Sequence, residues 1–158
     1  MARVSLTALK DCFLFQGLNG PELDLLASLF QERELSAGKT VFVEQMPGES
    51  LYIIRKGVVR ITRLLTEGNE KTLVILKEKD VFGEMAVVDG ATRFATARVD
   101  ADATLLSLRK DDFEKLCAAQ PAVALKFLKN IVCLYARRVR ENSEEYREML
   151  MWSLNGSA

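Results

Sequence analysis

Between Val81 and Ala97 the chain reads Val-Phe-Gly-Glu-Met-Ala-Val-Val-Asp-Gly-Ala-Thr-Arg-Phe-Ala-Thr-Ala. A glycine at 83 that opens a helical turn lets backbone N–H groups approach an anion, aided by the positive end of the turn. Arg93, returning on the next strand, is placed to face those amides and grip two phosphate oxygens at once. Glu84 is an acceptor suited to sugar hydroxyls. A carboxylate so near a phosphate would repel it unless a neutral group such as ribose lay between them. Local chemistry alone leaves a second reading open, in which Gly83-Glu84 is an ordinary turn and Arg93 a surface strand residue.

The composition removes most other chemistries. There is no histidine, so imidazole bases, His-ligated metals and His-dependent triads are excluded, and no catalytic or metal site is expected. Lys+Arg and Asp+Glu both number 22, a balance unsuited to tight non-specific binding of nucleic acid. Cys12, Cys117 and Cys133 are far apart and odd in number, which fits a reducing compartment and thiols used mostly as small buried hydrophobes. Lys10 and Asp11 interrupt the apolar core that a signal peptide needs, and no apolar run approaches the roughly 18 residues of a membrane span. The expectation is a cytoplasmic protein with no membrane contact.

The elements that must position these residues follow from periodicity. Asn19-Gly20 supplies a turn or cap before a helix entered at Pro21-Glu22, with Leu23, Leu26, Leu29 and Phe30 on one face. From about Arg33 the period becomes two. Short strands are expected at Thr40–Glu44, Ser50–Arg55, Val58–Leu65, Lys71–Leu76, Arg93–Val99 and Ala103–Leu108, with a hairpin tip at Glu67-Gly68-Asn69-Glu70. Such spacing suits a barrel, sandwich or jelly roll. Helical period returns at Lys110-Asp111-Asp112, where an aspartate is suited to the N-cap, with Phe113, Leu116 and Cys117 as the apolar face. Gln120-Pro121 breaks that helix and starts a longer one.

The last helix carries the clearest repeat. Leu125, Leu128, Val132, Tyr135, Val139, Asn142, Tyr146 and Met149 are spaced 3-4-3-4-3-4-3, an a/d seam of the two-stranded coiled-coil kind. The helix can lie on its own barrel, and its first half is suited to that. Beyond Ala136 the flanks are charged, and a narrow stripe suits a partner helix better than a globular core. Asn142 stands where a polar residue would set the register of a homodimer. The division expected is residues 1–120 as barrel with N-terminal helices, 121–151 as a long helix serving as dimer seam or lid, and 152–158 as a frayed tail.

The segment Phe82-Gly83-Glu84-Met85-Ala86-Val87-Val88, followed by Arg93-x-Ala95-Thr96, resembles the phosphate-binding cassette of the cyclic-nucleotide-binding domain family. That family includes protein kinase A regulatory subunits, nucleotide-gated channels and the bacterial catabolite activator protein. The likeness extends to Leu14-Phe15-x-Gly17-Leu18, to Val41-Phe42-x-Glu44, and to Gly48-Glu49-Ser50-Leu51-Tyr52-Ile53-Ile54-x-x-Gly57-x-Val59, so that it covers roughly Leu9 to Glu145. It implies a mainly β fold, an eight-stranded jelly-roll barrel with flanking helices and a long C-terminal helix. It implies a ligand site of Gly83, Glu84, Met85, Ala86, Arg93, Phe94 and Ala95. Gly83 and Ala86 help present backbone amides to a cyclic phosphate, Glu84 accepts the ribose 2′-hydroxyl, and Arg93 pairs with the phosphate. Arg138, Asn142 and Ser143 stand where the activator branch reaches the purine from its long helix.

Two residues depart from the family pattern. Thr92 replaces the usual proline before the arginine, and Phe94 replaces the usual small residue after it. Phe94 lacks the hydroxyl that guanine-preferring members use, which tilts the ligand toward cyclic AMP over cyclic GMP. The implied function is a non-catalytic signalling module that couples the cyclic nucleotide to movement of the long helix and acts on an effector protein. The alternative is a ligand-free dimeric scaffold with its pocket blocked by Phe94. No recognition helix or basic patch is evident, so direct DNA binding is not expected.

Overall fold

The computed structural model describes Val4, residues 10–66 and residues 68–155, with residues 146, 149, 150 and 152–155 described by backbone alone. A 3-10 turn at Phe13–Phe15 leads to helix α1, Gly20–Leu29. Asn19 accepts from the Glu22 N–H at 3.0 Å and Glu22 accepts from the Asn19 N–H at 2.9 Å, so the turn expected there is a reciprocal capping box. Strands β1 (Phe30–Leu35), β2 (Thr40–Phe42), β3 (Ser50–Thr66), β4 (Asn69–Leu76), β5 (Val81–Phe82) and β6 (Thr96–Arg109) follow, with helix α2 (Glu84–Asp89) between the last two. Helices α3 (Lys110–Ala119) and α4 (Pro121–Asn155) close the described chain.

The six strands among the described residues join one antiparallel sheet in the order β1-β6-β3-β4, with β2 paired to β6 and β5 to β3. The expected count of eight strands is not confirmed among the described residues, and the sheet is not closed. Segments expected as separate strands run on as one: Ser50–Arg55 and Val58–Leu65 merge into β3, and Ala103–Leu108 merges with the preceding segment into β6. The register between β3 and β6 shifts between Ile54 and Val59, so the ladder continues through bulges instead of stopping at the glycine turn. The expected hairpin joins β3 to β4 through the pair Thr66 and Asn69; its Glu67 lies outside the described residues. The N-cap of α3 is Arg109 and no side chain caps it, so the aspartates there act only as first-turn acids.

Alternation on β3 separates two cores. Leu51 and Ile53 point to the helices, joining Leu14, Leu26, Leu106, Leu108 and Phe127. Tyr52 and Ile54 point to the other face, with Phe82, Ala97, Val99 and Leu105. Helix α4 enters the first core through Val123, Ala124, Phe127, Ile131 and Leu134. It is also tied to the N-terminal segment, for Lys126 reaches Glu22 at 2.8 Å and the Asn130 amide donates to the Leu14 and Gln16 carbonyls. Docking of this half leaves another row uncovered: Leu125 is 67% exposed, Val132 64% and Val139 65%. Tyr146 and Met149, the last positions of the seam, have side chains outside the description. Among the cysteines, Cys12 is buried and Cys117 packs half-buried against the core, whereas Cys133 is exposed and is the exception to the reading of the thiols as mostly buried hydrophobes.

Candidate functional site

Strand β5 ends at Phe82, and Gly83 turns the chain into α2 with φ 74, a left-handed conformation that L side chains rarely adopt. A Cβ there would lie 2.8 Å from Arg93 Nη1, so glycine is required by both backbone and space. The other wall is the loop before β3. Gln45 N–H donates to the Arg93 carbonyl and Arg93 N–H to the Met46 carbonyl, both at 2.8 Å, which stitches this loop to the segment leading into β6. Gly48 then presses on α2 so closely that a Cβ would sit 2.0 Å from that of Ala86.

The Arg93 side chain runs inward from this stitched segment and is 4% exposed. Its Nη1 donates to the Gly83 carbonyl at 2.9 Å and its Nη2 to the Ser50 carbonyl at 2.8 Å. The guanidinium carbon lies 4.0 Å from the centroid of the Phe42 ring, a cation–π contact. Nε is buried and has no hydrogen-bond partner among the described residues. No carboxylate among the described residues forms an ion pair with this cation. Burial pulls its pKa down from the ordinary value, with Tyr52, Glu49 and Glu84 pulling the other way. An arginine stays charged regardless. The result is a buried cation held by two carbonyls and a ring, with its Nε without a partner among the described residues.

Glu84 is also buried, at 2% exposure, but it is compensated. Its Oε1 accepts from the Tyr135 hydroxyl at 2.8 Å and from Arg138 Nη1 at 2.7 Å. Arg138 Nη2 continues to the Val81 carbonyl at 2.6 Å, so α4 is bound to both ends of the Gly83 turn. Oε2 has no hydrogen-bond partner among the described residues. Burial and the neighbouring carboxylate push the Tyr135 phenol well above its ordinary range, so it remains a donor.

The remaining sequence-derived residues divide. Ala86 and Ala95 are buried beside these groups, while Met85 is 43% exposed on the outer side of α2. The Phe94 ring is 49% exposed and lies under Arg63, whose guanidinium carbon is 4.3 Å from its centroid. Arg63 is in turn paired with Glu44 at 3.3 Å. The ring against Arg93 is therefore that of Phe42. Asn142 and Ser143 are exposed, a turn or more beyond Arg138, and neither bonds to the Gly83–Ala95 segment among the described residues.

Sequence reasoning missed Phe42, Gly48, the Ser50 carbonyl and Tyr135 as parts of the site. The heptad repeat puts Tyr135 on the seam, yet its hydroxyl is turned onto Glu84; the signal available was its place three residues before Arg138, on the same helix face. A cleft of about 420 Å³ is lined instead by Pro47–Glu49, Gly90–Thr92 and Arg109–Asp111, none of them predicted site residues. No group of three or more metal-ligating side chains occurs among the described residues, and no described helix is long and apolar enough to cross a membrane.

Residues 32–120 match the family model of the cyclic nucleotide-binding domain. The cyclic AMP receptor protein of Thermus thermophilus is 38% identical over 133 residues, 84% of this chain and 60% of that protein. A CRP-like cAMP-activated global transcriptional regulator of Mycobacterium tuberculosis is 29% identical over 143 residues, 90% of this chain and 62% of the relative. The chain thus spans about three fifths of the length of these relatives. The crystal structure of the Thermus thermophilus catabolite activator protein matches with a TM-score of 0.75 at 36% identity, over 87% of this chain and 62% of that one. A cyclic nucleotide-binding domain from Methylobacillus flagellatus matches with a TM-score of 0.80 at 24% identity, over 89% and 79%, a likeness of fold.

Proposed function

The chain belongs to the cyclic nucleotide-binding domain family, whose matched members are regulators and not enzymes, and on that premise we propose that it is a cyclic AMP sensor. The single observation that carries this reading is Arg93: a buried cation that, among the described residues, has no counter-anion and no partner for its Nε. Leaving one buried donor unmet costs about 1–3 kcal/mol, which a cyclic phosphate in contact with Nε recovers. The free Oε2 of Glu84 is the acceptor for the ribose hydroxyl, and Gly83 and Ala86 shape the backbone around the phosphate.

The output in this reading is α4. Its docking uses Oε1 of the carboxylate whose other oxygen meets the ligand, so the two equilibria are linked through Glu84. A ligand shifts α4 only by its differential affinity for the docked and undocked states. The uncovered row Leu125, Val132 and Val139 supports a homodimer through α4, with Asn142 and Ser143 near a partner's site. The alternative of a scaffold blocked by Phe94 requires that ring in the pocket; its stacking with Arg63 favours the sensor.

Isothermal titration calorimetry with cyclic AMP and cyclic GMP tests the proposal. Binding of cyclic AMP in preference to cyclic GMP is expected, and no heat from either at millimolar ligand with folded protein overturns it. For the dimer, Val132→Glu is expected to shift the sedimenting species to monomer while altering the stability of the isolated fold by less than about 0.5 kcal/mol. A wild-type protein that sediments as monomer across micromolar concentrations rejects self-association.

A further inference from the structure

With Glu84 as the ribose acceptor, a premise on which the role of Tyr135 depends, something must aim the carboxylate. Arg138 does not do so alone. Its Nη2 is committed to the Val81 carbonyl, so only Nη1 reaches Glu84, as a single bond about which a carboxylate can still turn. The Tyr135 hydroxyl supplies a second donor, and it goes to the same oxygen, Oε1, at 2.8 Å. Two donors converging on one oxygen fix the plane of the group and leave Oε2 with no protein partner among the described residues. Tyr135 and Arg138 come from one face of α4, which the core anchors through Ile131 and Leu134, so the aim is inherited from a packed helix.

We propose that Tyr135 is a positioning residue for sugar recognition: it holds Glu84 turned so that Oε2 accepts the 2′-hydroxyl, and it thereby sets the preference of this domain for ribo- over 2′-deoxyribonucleotides. Tyr135 touches no part of the ligand in this arrangement and acts through the carboxylate.

The test measures the affinities of cyclic AMP and 2′-deoxy cyclic AMP for the wild-type chain and for Tyr135→Phe by calorimetry. Wild-type protein prefers the ribonucleotide. In Tyr135→Phe that preference falls about five- to tenfold, the worth of one net hydrogen bond, while the affinity for the deoxy ligand stays the same. An equal loss for both ligands means that the hydroxyl merely docks α4, and it overturns the proposal. An unchanged preference overturns it as well. Wild-type protein that binds both ligands equally rejects the role of Glu84 itself, an outcome distinct from failure of Tyr135 alone.

Discussion

Two ionisable side chains are buried at opposite ends of one short segment, and the fold treats them differently. Glu84 meets a cation and a phenol, so its charge is neutralised within the protein. Arg93 meets two carbonyls and an aromatic ring, and its charge is not neutralised by any ion pair among the described residues. Burying a charge without a partner is costly, and folded proteins ordinarily pair it or leave it in water. The contrast separates two tasks: the compensated group joins the cassette to α4, and the uncompensated one is, in the function proposed above, the partner of an anion from outside.

The largest effect expected from this contrast belongs to Arg93→Ala. Ligand affinity falls by about 3 kcal/mol or more, beyond a hundredfold, because charge-assisted bonds to the phosphate are lost. Calorimetry reads it directly, and unchanged affinity removes Arg93 from the site. Next comes Arg138→Ala, which acts on stability without ligand. It strands the Glu84 carboxylate, and because the Arg138 side chain is 31% exposed the expected cost is about 1–2 kcal/mol, below that of a fully buried pair. Denaturant midpoints of the ligand-free wild-type and variant proteins check the size, and an unchanged midpoint would contradict the pairing.

Phe94→Ala gives the smallest effect. If the ring serves only to stack with Arg63, removing it changes ligand affinity by less than about 1 kcal/mol. A large gain in calorimetric affinity would show that the aromatic group obstructs the neighbouring arginine, and the scaffold reading would replace the sensor.

Much of the cassette is legible in the sequence because its chemistry is local. Gly83 has a left-handed turn that favours glycine, and Arg93 stands one strand return away; spacing leaves a surface arginine as an open reading, and the family resemblance pairs the two. The helix break at Pro121 and the cap at Asn19 are equally local, set by a missing N–H and by a side chain reaching three residues on. Strand number is less legible. Gly57 reads as a turn signal, yet β3 passes through it as a bulge because the pairing with β6 continues on both sides. The apolar seam of α4 is plain in its spacing, but a heptad repeat does not say which side of the helix its own domain will cover.

The sequence by itself determined the backbone conformations that steric limits enforce, the periodicity of each element and the absence of imidazole chemistry. Tertiary structure alone decided which charges meet. Tyr135 and Arg138 reach Glu84 across 51 and 54 residues of chain, and Phe42 comes to lie beneath Arg93 through the packing of a distant strand. Short-range sterics act between neighbours in sequence and can be read there. Electrostatic compensation acts between neighbours in space, and these exist only after the helix has docked and the sheet has paired.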